Sequence, residues 1–122
     1  SGYCTTDNSG NVYLAGFTSS SVNIASAGAH QETIGWGDDA YLAKFNSDGV
    51  RLWGTYYGGE NYDWAYFIST DSDGNVYLDG HTGSDTAIST AGSYQPTKGG
   101  EYDAFLAKFN SNGSRAWGTY YG

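Results

Sequence analysis

An all-β fold built from two four-stranded antiparallel units is predicted by three observations. The chain repeats itself: Asp39–Gly58 returns as Asp103–Gly122, and the two stretches differ at only four of twenty positions (Tyr41/Phe105, Asp48/Asn112, Val50/Ser114 and Leu52/Ala116). Its composition, with 19 Gly, 12 Tyr and a single Pro in 122 residues, joins β-favouring aromatic rings to frequent glycine interruptions. Helical periodicity is absent, whereas short apolar runs are bounded by Asn, Asp and Gly. Self-similarity at a fixed offset points to a repeat architecture in which one unit cannot bury its own apolar surface.

Aligned without gaps, residues 1–58 and 59–122 form two blade-like repeats of one continuous segment, each with four strand-like pieces. The first piece is Gly2–Thr6, matched by Tyr66–Thr70. A turn follows at Asp7–Asn11 and Asp71–Asn75, where glycine beside Asn or Asp supplies the positive φ of a tight hairpin. The second piece is Val12–Thr18, repeated as Val76–Thr82. The third is Asp39–Asn46, repeated as Asp103–Asn110. After a second glycine turn comes the fourth, Arg51–Tyr57 or Arg115–Tyr121. The second and third pieces are apolar almost throughout, as expected of strands covered on both faces. That favours β-propeller blades over a two-sheet sandwich, whose strands would alternate more cleanly.

Between the second and third strands lie segments 19–38 and 83–102, longer than a hairpin needs. Ile24/Ile88, Ala27-Gly28/Ala91-Gly92 and Gln31/Gln95 agree in both copies, which predicts ordered loops packed on their own blade.

Taken together, Asp71 to Thr82, Ala91 to Gln95, Asp103 to Gly113 and Trp53 to Gly59 resemble the bacterial seven-bladed β-propeller repeat called SBBP. The resemblance runs over essentially the whole chain, twice. It implies a propeller blade in an exported or cell-surface protein, with no defined catalytic residues to carry over. Two blades cannot close a ring, which takes roughly 4–8. Completion is therefore expected from further repeats of a longer parent chain or from self-assembly into a ring or filament. The chain does not begin with Met and shows no signal peptide, so it reads as processed or excised from something longer.

Charge narrows the partners. A net charge of −8 with five Lys plus Arg argues against nucleic-acid binding, and no apolar run is long enough for membrane insertion as a helix. The single cysteine, Cys4, aligns with Ile68 and reads as a small buried hydrophobe. His30 and His81 align with Tyr94 and Phe17 and have no Cys or His nearby, so no metal or other cofactor is expected. Asp71–Asn75 has a calcium-loop look but lacks the downstream bidentate Glu, and reads as a turn.

No nucleophile elbow, zincin motif or phosphate loop occurs, so no catalytic residue is assigned. The acidic pairs Asp38/Asp39 and Glu60/Asp63 read as solvated surface. The recurring Asp39/Asp103 is expected to partner Lys44/Lys108, and Arg51/Arg115 to stack on Trp53/Trp117, all as blade architecture.

The loops between strands two and three share one edge with the blade-to-blade connection. This makes Trp36, Asp38, Glu60, Tyr62, Trp64 and Tyr102 a candidate interaction face for a protein or glycan ligand. Asn112-Gly113-Ser114 is an N-glycosylation sequon, and Asp85-Thr86-Ala87 resembles a short O-glycosylation motif centred on Thr86. The function expected from these features is a non-enzymatic structural or protein-interaction scaffold. A glycan-binding module is the alternative, and a carbohydrate-active enzyme ranks last.

Overall fold

The computed structural model describes residues 2–122, which form eight strands and no helix. β1 (Gly2–Thr6), β2 (Val12–Thr18), β3 (Asp39–Phe45) and β4 (Arg51–Tyr57) make one antiparallel meander. β5 (Asp63–Thr70), β6 (Val76–Thr82), β7 (Asp103–Phe109) and β8 (Arg115–Tyr121) make the second. The hairpin turns are set by Gly10, Gly49, Gly74 and Gly113, with φ of 81°, 80°, 79° and 92°, a region open to glycine without steric cost. Both β3–β4 and β7–β8 pairs shift register at the same place, Lys44/Phe45 and Lys108/Phe109. β5 begins earlier than its first-blade counterpart suggests, because Asp63, Trp64 and Ala65 pair with Thr82, His81 and Gly80. The register then shifts between Ala65 and Phe67.

The two sheets pack as neighbouring propeller-like blades. β5 lies nearest β2 and β1, with β3 further away, so the first strands converge and the fourth strands splay apart. Side-chain size follows that wedge. Buried Ala15 and Ala65 belong to the narrow side, while Tyr57, Phe105 and Phe109 fill the wide side, with Trp53 packed against them. Tyr57 meets Phe105 at 5.3 Å and Phe109 at 5.6 Å, both edge to face, the arrangement aromatic quadrupoles prefer.

Strand alternation gives each blade two different faces. Tyr13, Ala15, Ala40, Leu42 and Tyr57 form what we term the trailing face of blade 1, and Val76, Leu78, Phe105, Ala107 and Phe109 the leading face of blade 2. The seam joins unlike faces, so it is directional. In a sandwich closed by like faces, Tyr57 would meet the face that carries Tyr121.

Segments 19–38 and 83–102 run alongside the fourth strand of their own blade, as expected. Ser26 N donates to Gly54 O (2.9 Å) and Tyr56 N to Gln31 O (3.1 Å); Thr90 to Gly118 and Tyr120 to Gln95 repeat the pattern at 2.9 and 3.1 Å. The edge that β4 or β8 would otherwise present is thereby covered. A Cβ on Gly54 would lie 2.2 Å from the Ile24 carbonyl oxygen, and one on Gly118 2.3 Å from that of Ile88, so glycine is what lets the loop approach.

Candidate functional site

The edge where the connection 58–63 meets the second-to-third-strand loops carries an aromatic cluster. Trp36 contacts Tyr62 at 5.5 Å and 71°, and Tyr62 contacts Trp64 at 5.7 Å. Trp64 lies parallel to Tyr102, 6.4 Å away at 7°. Four of the six residues named from sequence thus form a continuous chain of ring contacts across both blades. Asp38 joins it by accepting the Trp64 indole N–H at Oδ2 (3.1 Å), while its backbone carbonyl accepts Asp63 N at 2.8 Å. Trp36, 65% exposed, and Tyr102 present ring surface to solvent.

Glu60 stands apart from the rings. Its carboxylate accepts the backbone N–H of Asp85 and both the N–H and hydroxyl of Thr86. Partial burial works against its charge, but these bonds, Thr86 foremost, hold its carboxyl below the usual range. Thr86 is exposed, with its hydroxyl committed to Glu60. Asn112 is exposed in the β7–β8 turn, where its Oδ1 accepts Ser114 N and Oγ of its own sequon at 3.1 and 2.7 Å.

Phe17, Tyr66 and His81 complete the cluster. Phe17 lies 5.8 Å from Trp64; His81 lies 4.7 Å from Trp64, 5.1 Å from Tyr66 and 5.6 Å from Tyr102. Burial pushes the His81 imidazole below its usual pKa, against the opposing pull of Asp63. Phe17 and His81 occupy one repeat position, at the strand end paired beside the blade junction. That shared register was the available signal, and it was obscured by one residue being polar.

Several expectations are corrected. Cys4 is exposed rather than buried, because it lies on the face of β1 turned away from blade 2; Ile68, on the matching face of β5, packs against the core. Asp39 and Asp63 are fully buried, not solvated. Asp39 does not partner Lys44, which lies at the far end of the same strand. Lys44 Nζ instead donates to Ser111 O (3.0 Å) and sits 5.4 Å from the Tyr13 ring centroid. Arg51 and Arg115 donate to the loop carbonyls of Ile24 and Ile88, each at 2.9 Å, and Arg115 lies over Tyr57, not Trp117.

The buried carboxylates tie loops to strands. Asp39 Oδ2 accepts Gln31 Nε2 (2.7 Å) and Gly35 N (2.9 Å); Asp103 Oδ2 repeats this with Gln95 and Gly99 at 2.9 and 2.7 Å. Asp103 Oδ1 also takes Gly100 N at 3.1 Å, whereas Asp39 Oδ1 is buried without a hydrogen-bond donor. That oxygen and Asp63 Oδ2 would each stand 2.7 Å from a Cβ on Gly58, so the two carboxyl groups are close neighbours. Burial pushes Asp39 up to about 6, opposed by its bonds to Gly35 and Gln31 and reinforced by Asp63. Burial likewise raises Asp63, against hydrogen bonds from Thr82, Gly59 and Ser84. Close carboxyl pairs serve glycoside hydrolysis when a sugar reaches them. This pair has no solvent-accessible surface.

Asp71 uses both oxygens on its turn: Oδ1 accepts Asp73 N and Asn75 N, and Oδ2 accepts Asn75 Nδ2 and the Tyr77 hydroxyl. Among the described residues no group of three or more His, Cys, Asp or Glu side chains is placed to hold a metal ion. No protein-family model matches the chain, and no curated protein matches it.

Proposed function

We propose that the chain is a non-enzymatic propeller segment of an exported or cell-surface bacterial protein, acting as a structural or protein-interaction scaffold of the SBBP type. One observation carries the reading. The apolar centre of the seam between blades is assembled from positions that both repeats contain, so each blade is shaped for a neighbour on either side. Tyr57, Leu42 and Trp53 recur as Tyr121, Leu106 and Trp117; Leu78, Ala107 and Phe109 recur as Leu14, Ala43 and Phe45. The buried acidic groups support it too, since Asp39, Asp63 and Asp103 anchor loops and the blade junction.

Nearest-neighbour coupling makes an array of such units more stable with each added interface. Appending a further copy of residues 59–122 to the C-terminus should therefore raise the thermal midpoint by several degrees in one cooperative transition. An unchanged midpoint, or a separate transition for the added repeat, would count against the scaffold reading.

A second reading is favoured by the exposed rings of Trp36 and Tyr102 at the ends of the aromatic cluster, which can stack on sugar faces. A glycan array comparing the chain with Trp36→Ala and Tyr102→Ala tests it. Binding abolished by both substitutions supports glycan recognition, and binding indifferent to them rejects it.

A further inference from the structure

We infer that a second copy of this chain docks head to tail, its blade 1 leading face seating on the blade 2 trailing face as blade 2 seats on blade 1 within one molecule. This rests on the scaffold reading and names its partner. The seam inside the chain is the template, and the repeat offset transfers the contacts of its central strands to pairs of residues on the two outer faces; those that Asp63 and Trp64 make with Asp38 and Phe17 have no such counterpart.

Within the chain, Tyr57 Oη donates to Ile88 O (2.5 Å), and Trp53 Nε1 and Lys44 Nζ both donate to Ser111 O (3.1 and 3.0 Å). Arg115 covers the Tyr57 ring at 5.9 Å. Shifted by one repeat, Tyr121 Oη would donate to Ile24 O of the next copy, Trp117 and Lys108 to its Ser47 O, and its Arg51 would cover Tyr121. Those groups are in place. Tyr94, Leu106, Trp117 and Tyr121 line an open hollow on blade 2, and Leu14, Ile24, Ala43 and Phe45 line one on blade 1 beside Arg51. Arg51 already donates to Ile24 O, as Arg115 does to Ile88 O. Equivalent side chains differ mainly by whether a neighbour is present: Leu42 is 0% exposed and Leu106 39%; Tyr57 is 0% and Tyr121 67%. Large apolar side chains left open in this concentration mark an association surface.

Several positions depart from the template: Phe17, His30, Ile68 and Phe105 of the seam become His81, Tyr94, Cys4 and Tyr41 on the outer faces, and one further change introduces a charge. Ala15, buried in the seam, becomes Asp79 on the outer face. Docking would bring that carboxylate toward an apolar neighbour at a desolvation cost, and the net charge of −8 adds repulsion between copies. Association is therefore weaker than the internal seam, and salt strengthens it. Unlike faces meet, so the contact is heterologous and builds rings or filaments, not isolated two-fold dimers.

The test is sedimentation of the chain and of single-face variants, each checked for retained β-sheet signal by circular dichroism. The chain alone should form species at multiples of 13.0 kDa as concentration rises. Tyr121→Asp and Phe45→Asp should each be monomeric alone, yet form a one-to-one dimer on mixing, through the intact face of each. Asp79→Ala, which restores the residue of the internal seam, should tighten association about tenfold or more, and Tyr121→Phe should weaken it about tenfold. A folded chain that stays monomeric in both its native form and Asp79→Ala, or oligomers indifferent to both face variants, would overturn the proposal. If the appended repeat stabilises the chain while copies fail to associate, only the docking of a second copy is lost. If neither occurs, the scaffold reading falls with it.

Discussion

The Tyr57 hydroxyl crosses the blade seam to the Ile88 carbonyl at 2.5 Å, while Tyr121, its repeat equivalent, lies open against Tyr94. The same side chain on the same strand position is thus a buried hydrogen-bond donor in one copy and a surface ring in the other. Removing the Tyr57 hydroxyl leaves the Ile88 carbonyl with Arg115 as its side-chain donor, so Tyr57→Phe loses one hydrogen bond and should cost about 1 kcal/mol in urea unfolding. Tyr121→Phe, measured at concentrations where the chain is monomeric, should change stability by less than about 0.5 kcal/mol. Equal effects would mean that the seam is not formed as described.

The loop that runs beside the fourth strand depends on glycine. Gly54→Ala or Gly118→Ala places a methyl group 2.2 or 2.3 Å from a loop carbonyl oxygen, against backbone that cannot turn aside like a side-chain tip. Each should destabilise by about 2 kcal/mol or more and expose segment 19–38 or 83–102 to limited proteolysis. A substitution that leaves both stability and cleavage unchanged would contradict the packing of the loop.

Asp39 makes stability fall with rising pH. Its folded pKa of about 6 lies above the ordinary 3.8, so the protonated form is favoured on folding. That contribution is complete below 3.8 and is lost as pH rises through 6. Asp39→Asn keeps an acceptor for Gln31 and Gly35 and cannot ionise. Its stability relative to the native chain should rise between pH 4 and pH 7 by on the order of 2–3 kcal/mol. A difference independent of pH would show that Asp39 titrates normally.

The aromatic cluster separates surface from support. Trp36→Ala removes an exposed ring and should change unfolding free energy by less than about 1 kcal/mol. Trp64→Ala removes a half-buried ring, its hydrogen bond to Asp38 and its contacts to Phe17, Tyr62 and His81. It should cost about 3 kcal/mol. The reverse order would contradict the packing of Trp64 between Phe17 and His81.

Much of this architecture was legible in the residues. Repetition, glycine turns and doubly apolar strands gave eight strands in two meanders, and agreement between the two loops foretold their order. The chain of rings from Trp36 to Tyr102 followed from placing the loops and the blade connection on one edge. What escaped depended on which face of a strand meets a neighbour. Cys4 and Ile68 occupy one repeat position, yet only Ile68 has a blade beside it, and no local pattern distinguishes them. Asp39 looked like half of an exposed acidic pair because its partners, Gln31 and Gly35, come from a loop whose path sequence spacing does not specify. The pairing expected between Asp39 and Lys44 failed for a simpler reason: the two sit at opposite ends of β3.

The central claim is that blades join through a directional seam whose two halves recur on the outer faces. Sedimentation velocity of the unmodified chain across a wide concentration range tests it most directly. The account predicts mass growing beyond 13.0 kDa in whole-chain steps, with growth promoted by salt. A single folded species of 13.0 kDa at every concentration and salt level, for the native chain and for Asp79→Ala alike, would contradict it.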